Sequence, residues 1–154
     1  MQETIKSYIA GFLDADGSIY VRVKKNNSHK YGFQIMPAIV FFQRDTNVKV
    51  LHYLQDNLSI GYIRTRNDKM CEYVIGNIEG IQKVINLVED YVVLKKPQLL
   101  LLKELIHKKL LVKTPEDFLE LVKIADNISI KNYSTIKKAK SEVVAEHFLK
   151  FKLL

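Results

Sequence analysis

Asp14 and Asp16 stand two residues apart in the run Ile9-Ala10-Gly11-Phe12-Leu13-Asp14-Ala15-Asp16-Gly17. The run reads as a short helix, apolar except for those two carboxylates at its C-terminal end. That end carries the negative pole of the macrodipole, where an acidic group is unfavourable by roughly 0.3–1 kcal/mol. Something positive must compensate, and the economical candidates are a divalent metal ion, a helix N-terminus from a partner chain, or both. Gly17 is expected to end the helix in the left-handed conformation.

Small residues occupy positions where a helix usually carries Leu. The pairs Ala10/Asp14 and Gly11/Ala15 stack at i, i+4 and leave a flat stripe where two helix backbones can approach. The spacing suggests a packing seam that brings two acidic helix ends side by side. The run resembles the LAGLIDADG motif of homing endonucleases, with Ile9 for the first Leu and Phe12-Leu13 for the Leu-Ile pair. Ala-Gly and Asp-Ala-Asp-Gly match letter for letter.

The rest of the chain supplies a setting for that motif. Its 154 residues suit a single domain spanning 1–154, large enough to bury a core. Lys and Arg number 24 against 17 Asp and Glu, a net charge of +7 that favours a polyanionic partner. Between Ser18 and Arg66, eight basic residues oppose two acidic ones, 8 − 2 = +6, so one stretch holds nearly the whole excess. The lone Cys71 excludes an internal disulfide, and no apolar span is long enough for a membrane helix. The N-terminus lacks the basic-then-apolar layout of a signal peptide, so an intracellular place is expected: prokaryotic cytoplasm or nucleoid, or an organelle, and not secretion.

After the motif, Ile19, Val21 and Val23 alternate with Tyr20, Arg22 and Lys24, a strand with one apolar and one basic face. Phe33 to Phe41 alternates likewise, with Pro37 arguing for an edge position or a bulge. Tyr62 to Arg66 follows Gly61 as a third strand, and Cys71 to Ile75 pairs back through an Asn67-Asp68 turn. Arg and Lys can hold guanine edges or phosphates, Gln34 can pair with adenine, and a two-stranded ribbon fits the major groove. The recognition set on this face is Tyr20, Arg22, Lys24, Asn26, Ser28, His29, Gln34, Met36, Ala38, Val40, Tyr62, Arg64, Arg66, Glu72 and Val74. Lys137 and Lys138 are added as DNA-backbone contacts.

Helices account for the remainder. Val48, Leu51, Leu54 and Leu58 form one apolar stripe, and Ile81, Val84, Ile85 and Val88 another, with Asn77 as its N-cap. Pro97 begins a Leu-rich helix through about Leu111, Thr114-Pro115 starts the next, and a last basic helix covers about Ser141 to Phe151. The order is helix, two strands, helix, two strands, then helices. It is similar to the α+β fold of the LAGLIDADG family, an αββαββα core with a saddle-shaped antiparallel sheet and C-terminal helices.

That resemblance carries further expectations. The motif occurs once, as in the single-motif members, so the enzyme is expected to be a homodimer joined through Ala10, Gly11, Leu13, Asp14 and Ala15. It implies a metal-dependent endodeoxyribonuclease that cuts a long, nearly palindromic double-stranded DNA site and promotes intron homing. Asp16 would bind metal with the carbonyl of Ala15 nearby, while Asp14 would be structural, bonding across the helix pair. Mg²⁺ suits carboxylate and water oxygens; Mn²⁺ is expected to substitute and Ca²⁺ to support binding only. Gln43 and Lys95 match a Gln and a Lys that surround the attacking water and phosphate. The family's Arg falls on Asn47, so either Arg44 takes its part or the water network differs.

Other chemistry finds little support. His29, His52, His107 and His147 show no zinc-ligand spacing, Cys71 reads as a small core residue, and no phosphate-binding glycine loop implies a nucleotide cofactor. The alternative reading, which Asn47 keeps open, is a catalytically inactive nucleic-acid binder such as an intron maturase or a regulator.

Overall fold

In the computed structural model, which describes residues 1–133 and 138–154, α1 (Glu3–Asp16) passes without a linker into β1 (Gly17–Lys25). The chain continues through β2 (Phe33–Arg44), a 3-10 turn at Asp45–Asn47, α2 (Lys49–Leu58), β3 (Tyr62–Thr65), β4 (Met70–Ile75) and α3 (Ile78–Val88). Helices α4 (Lys96–Lys109), α5 (Pro115–Lys131) and α6 (Lys140–Lys150) follow. This is the expected αββαββα order with C-terminal helices. The strands lie in one sheet in the order β1-β2-β4-β3. No described helix is long and apolar enough to cross a membrane.

Two compact units emerge, residues 1–19 with 38–99 and residues 20–37 with 100–154. In the first, β2 and β4 are antiparallel from Ile39↔Ile75 to Arg44↔Met70, and β3 flanks β4 from Tyr62↔Val74 to Thr65↔Cys71. Phe41 stacks on Tyr73 at 5.8 Å and meets Phe12 of α1 at 6.1 Å. Leu51, Leu54 and Leu58 of α2 and Ile81, Val84, Ile85 and Val88 of α3 are fully buried, as their 3.6-residue spacing requires. Cys71 is a buried free thiol, as expected of a small core residue.

In the second unit, Tyr31, Phe118 and Phe148 form an aromatic cluster with centroids 5.2–6.2 Å apart. The Tyr31 hydroxyl donates to the Lys113 carbonyl at 2.8 Å. Thr114 caps α5 as the Thr-Pro pair suggests, its Oγ1 accepting from the Asp117 N–H while the Asp117 carboxylate accepts from the Thr114 N–H.

Three local expectations change. Gly17 is extended (φ −106°), not left-handed; a Cβ there would lie 2.6 Å from both the carbonyl O and Cδ1 of Leu13, so its requirement is close approach. The β3–β4 loop spans Arg66 to Lys69 and not two residues: Lys69 takes the left-handed turn position (φ 63°), and Asp68 Oδ1 accepts from the Met70 N–H. Asn77 holds the N-cap position of α3 without a side-chain cap bond. Pro37 sits inside β2, an interior strand, but the ladder to β4 begins at Ile39, so the missing N–H falls beyond its end.

Candidate active site and nucleic-acid interface

The compensation required by acids at a helix C-terminus is present, and it comes from the chain itself. Asp14 Oδ2 accepts from the N–H groups of Val93 (2.8 Å) and Leu94 (3.1 Å), and Oδ1 accepts from the Lys95 N–H (2.9 Å). These donors immediately precede α4, so the carboxylate sits at that helix's positive N-terminal end. Burial alone would raise the Asp14 carboxyl; the three N–H bonds and the Lys95 charge outweigh it and hold it below the usual carboxylate range. Asp14 is expected to bond across a helix pair; within the chain, both of its carboxylate oxygens accept from the N–H groups ahead of α4. In return, the Lys95 ammonium donates to the Asp14 carbonyl at 2.5 Å.

Asp16 is left outside this arrangement. It is the last residue of α1, exposed, and among the described residues no hydrogen bond or ion pair engages its carboxylate. Ala15 beside it is exposed as well. The helix N-terminus therefore answers the charge of Asp14 and leaves that of Asp16 unanswered, a situation that suits a hard cation. No three His, Cys, Asp or Glu side chains converge as a metal cluster among the described residues.

The remaining expected catalytic residues occupy the end of β2 and the turn after it. Gln43 faces the side of β2 shared with Phe41, its Oε1 accepting from the Arg44 N–H at 3.0 Å. Arg44, one residue on, is exposed at the end of β2, and strand alternation puts it on the opposite face from Gln43. Asn47 is exposed in the 3-10 turn. Lys95 and Asp14 are thus brought together, whereas no hydrogen bond or ion pair among the described residues joins Gln43, Arg44 or Asn47 to Asp16.

The stripe on α1 divides in two. Gly11 and Ala15 are exposed, and a Cβ on Gly11 would meet nothing within 4 Å. Ala10 and Leu13 are fully buried in the chain's own core and offer no surface to a partner, a correction to the expected interface.

The recognition face is similarly uneven. On the β3–β4 hairpin, Arg64 lies across from Glu72, and the two pair at 2.5 Å; Arg66 reaches Glu72 at 3.3 Å and Asp68 at 2.7 Å. The four charges balance, 2 − 2 = 0, around an open cavity of about 470 Å³ lined by Arg64, Arg66, Asn67 and Asp68. Asp68 is a partner of Arg66 that turn chemistry alone did not reveal; its spacing of two from Arg66 was the available signal. Tyr62 is exposed, but Ala38, Val40, Glu72 and Val74 are buried, each 7% exposed or less, and offer little surface for the base contacts expected of them.

In the other unit, Arg22, Lys24, Ser28, His29 and Met36 are exposed, with Tyr20, Asn26 and Gln34 partly so. The Arg22 guanidinium lies 5.2 Å from the centroid of the Tyr20 ring. Asn26 donates to Gln34 Oε1 at 3.3 Å and accepts from the Ser28 hydroxyl at 2.7 Å, so this polar set is organised before any ligand arrives. Lys138 is exposed and paired with Glu146 at 2.6 Å; Lys137 lies outside the described residues.

An acidic helix end fed into a basic four-stranded sheet defines a class of DNA-acting protein, and comparison places the chain within it. Residues 9–107 match the LAGLIDADG endonuclease family, and the chain belongs to that family. It is 30% identical over 138 residues to DNA endonuclease I-CreI of Chlamydomonas reinhardtii, covering 89% of this chain and 84% of that one. It is 28% identical over 124 residues to DNA endonuclease I-CvuI of Chlorella vulgaris, covering 80% and 77%. A crystal structure of I-CvuI in complex with its target in the presence of Ca superposes with a TM-score of 0.93 at 26% identity, covering 99% of this chain and 97% of that one.

Proposed function

We propose that the chain is a site-specific double-strand DNA endonuclease that works as a homodimer with divalent metal ions, the 154 residues forming one endonuclease domain that promotes intron homing. The observation that carries this reading is Asp16, an exposed carboxylate at a helix C-terminus with its charge unanswered, next to a neighbour whose charge is fully answered. One chain provides a single such carboxylate, so a second copy, docked along exposed Gly11 and Ala15, would supply the other and give a cut in each strand. The structures of I-CvuI bound to DNA, one with Mg and one with Ca, support the DNA partner and divalent metal use.

Asp16 and the Ala15 carbonyl would hold Mg²⁺, with Mn²⁺ able to replace it. A bound metal would neutralise the scissile phosphate and lower the pKa of the attacking water. The chain's own groups do the positioning. Lys95 spends one of its three donors on the Asp14 carbonyl and keeps two for phosphate or water. Gln43 offers its amide N–H₂, because its Oε1 is bound to the Arg44 N–H. Arg22, Lys24, Arg64 and Arg66 face phosphates and base edges, and a guanine or phosphate that captures Arg64 or Arg66 competes with Glu72.

Exposed Asn47 favours the second reading, a LAGLIDADG binder that keeps the fold without cutting. Incubating the protein with a randomised duplex library, with Mg²⁺ and separately with Ca²⁺, then sequencing bound and cut molecules, decides between the two. The endonuclease reading expects one long site bound in both metals and cut only with Mg²⁺. A site bound in both and never cut moves the chain to the binder class. Asp16→Asn is expected to abolish cutting while binding in Ca²⁺ persists; equal loss of binding would make Asp16 structural.

A further inference from the structure

Lys95 is held at both ends by a single residue. Its backbone N–H donates to Asp14 Oδ1 at 2.9 Å, and its ammonium returns to the Asp14 carbonyl at 2.5 Å. The first bond is accepted by the Asp14 carboxylate and the second by its main-chain carbonyl, so the side chain fixes the base of Lys95 and the backbone receives its tip. Asp14 is itself fixed, because Leu13 before it is fully buried and Oδ2 is filled by the N–H groups of Val93 and Leu94. Lysine is a long, flexible side chain whose charge ordinarily samples many places. Here its base and its tip are both referenced to the last turn of α1, the turn that ends in Asp16.

We propose, resting on the endonuclease reading, that Asp14 is a positioning residue for cleavage: through both ends of Lys95 it sets the ammonium at the Asp16 end of α1, where the phosphodiester must lie. Asparagine keeps the shape of Asp14 but not the function. Its amide has one acceptor oxygen and presents N–H donors toward backbone N–H donors, so one side of the clamp opens.

A double-mutant cycle tests this, with Asp14→Asn and Lys95→Met alone and together, on the duplex selected by the unsubstituted protein. Single-turnover cleavage in Mg²⁺ gives the maximal rate and the half-saturating protein concentration, binding in Ca²⁺ gives affinity, and thermal melting reports folding. Asp14→Asn is expected to lower the maximal rate about tenfold while half-saturation and Ca²⁺ binding move less than about twofold. In the Lys95→Met background the same substitution is expected to change the rate by less than about twofold, because the residue through which it acts is gone.

The same factor in both backgrounds, no effect of Asp14→Asn on the parent, or a loss of Ca²⁺ binding equal to the loss of rate would each overturn the role of Asp14. If Asp14→Asn does not fold, Asp14→Glu, which keeps two acceptor oxygens on a longer stem, enters the cycle with the same expectations. Failure of the unsubstituted protein to cut any duplex overturns the endonuclease reading itself, a result distinct from equal factors in a protein that cuts.

Discussion

Two carboxylates in this protein hold the N-terminus of a distant helix, one in each compact unit. Asp14 binds the N–H groups of Val93, Leu94 and Lys95 ahead of α4. Asp126 of α5 binds those of Lys140 and Ser141 at the start of α6, each at 2.9 Å. In both, the lysine at the captured helix start also sends its ammonium to a backbone carbonyl, Lys95 to Asp14 and Lys140 to Val21 at 2.8 Å. They differ in what surrounds the charge. Asp126 is buried at 6% exposure, and burial pushes the Lys140 ammonium below the usual lysine range even though Asp126 opposes this. Lys140 also donates to Ser129 Oγ at 3.2 Å, so its charge is committed to holding strand and helices in place. Asp14 is less buried, and the Lys95 ammonium donates to the carbonyl of Asp14, two residues before the exposed Asp16. The same device recurs in both units with different burial, and on the proposal made above it anchors a helix in one and positions an ammonium in the other.

The comparison can be broken from the larger side first. Asp126→Ala leaves two backbone donors and a partly buried ammonium without their anion, and is expected to lower stability by about 3 kcal/mol in urea titration. Asp14→Ala removes three N–H bonds, one more than Asp126→Ala, but in a wetter place where water replaces the carboxylate, and is expected to lower stability by about 1–2 kcal/mol. A larger loss for Asp14 than for Asp126 would contradict the assignment by burial. Lys140→Met is expected to change stability by less than about 1 kcal/mol, since the desolvation it relieves offsets the bonds it loses.

pH sharpens the contrast. Lys140 has its pKa lowered by folding, so the unfolded chain binds more protons between the folded value and the ordinary lysine value. Stability therefore rises with pH through that alkaline window and is penalised below it. The stability difference between the protein and Lys140→Met is expected to shift in the protein's favour as pH rises there; a flat difference would show that the ammonium is not desolvated. Asp14 behaves oppositely: its contribution is present above the ordinary carboxylate pKa and is lost as pH falls through its lower folded value.

Much of this was legible from local pattern. The acidic helix end, the alternating strands, the Thr114-Pro115 start and the helical stripes each depend on residues within a turn or two of one another, and they formed as expected. The single motif also announced where the charge problem lay. Its solution was out of reach, because the donors that answer Asp14 lie about 80 residues further along the chain. Small residues at i, i+4 gave a stripe but could not say which side faces inward, and Ala10 went to the core while Gly11 went to solvent. Alternation likewise placed Val40 and Val74 on the basic face without revealing that they are buried, and it gave no sign that Glu72 would engage both arginines.

One feature couples these parts more tightly than any hydrogen bond. α1 ends at Asp16 and β1 begins at Gly17, with no residue between them to absorb a change in length. Because side chains alternate along a strand, a single residue inserted at that junction would turn Ile19, Val21 and Val23 outward and carry Tyr20, Arg22 and Lys24 into the interior. Drift in the recognition surface can then proceed by replacement along β1, but not by insertion at its root, where the parity of the strand is counted from the carboxylate itself.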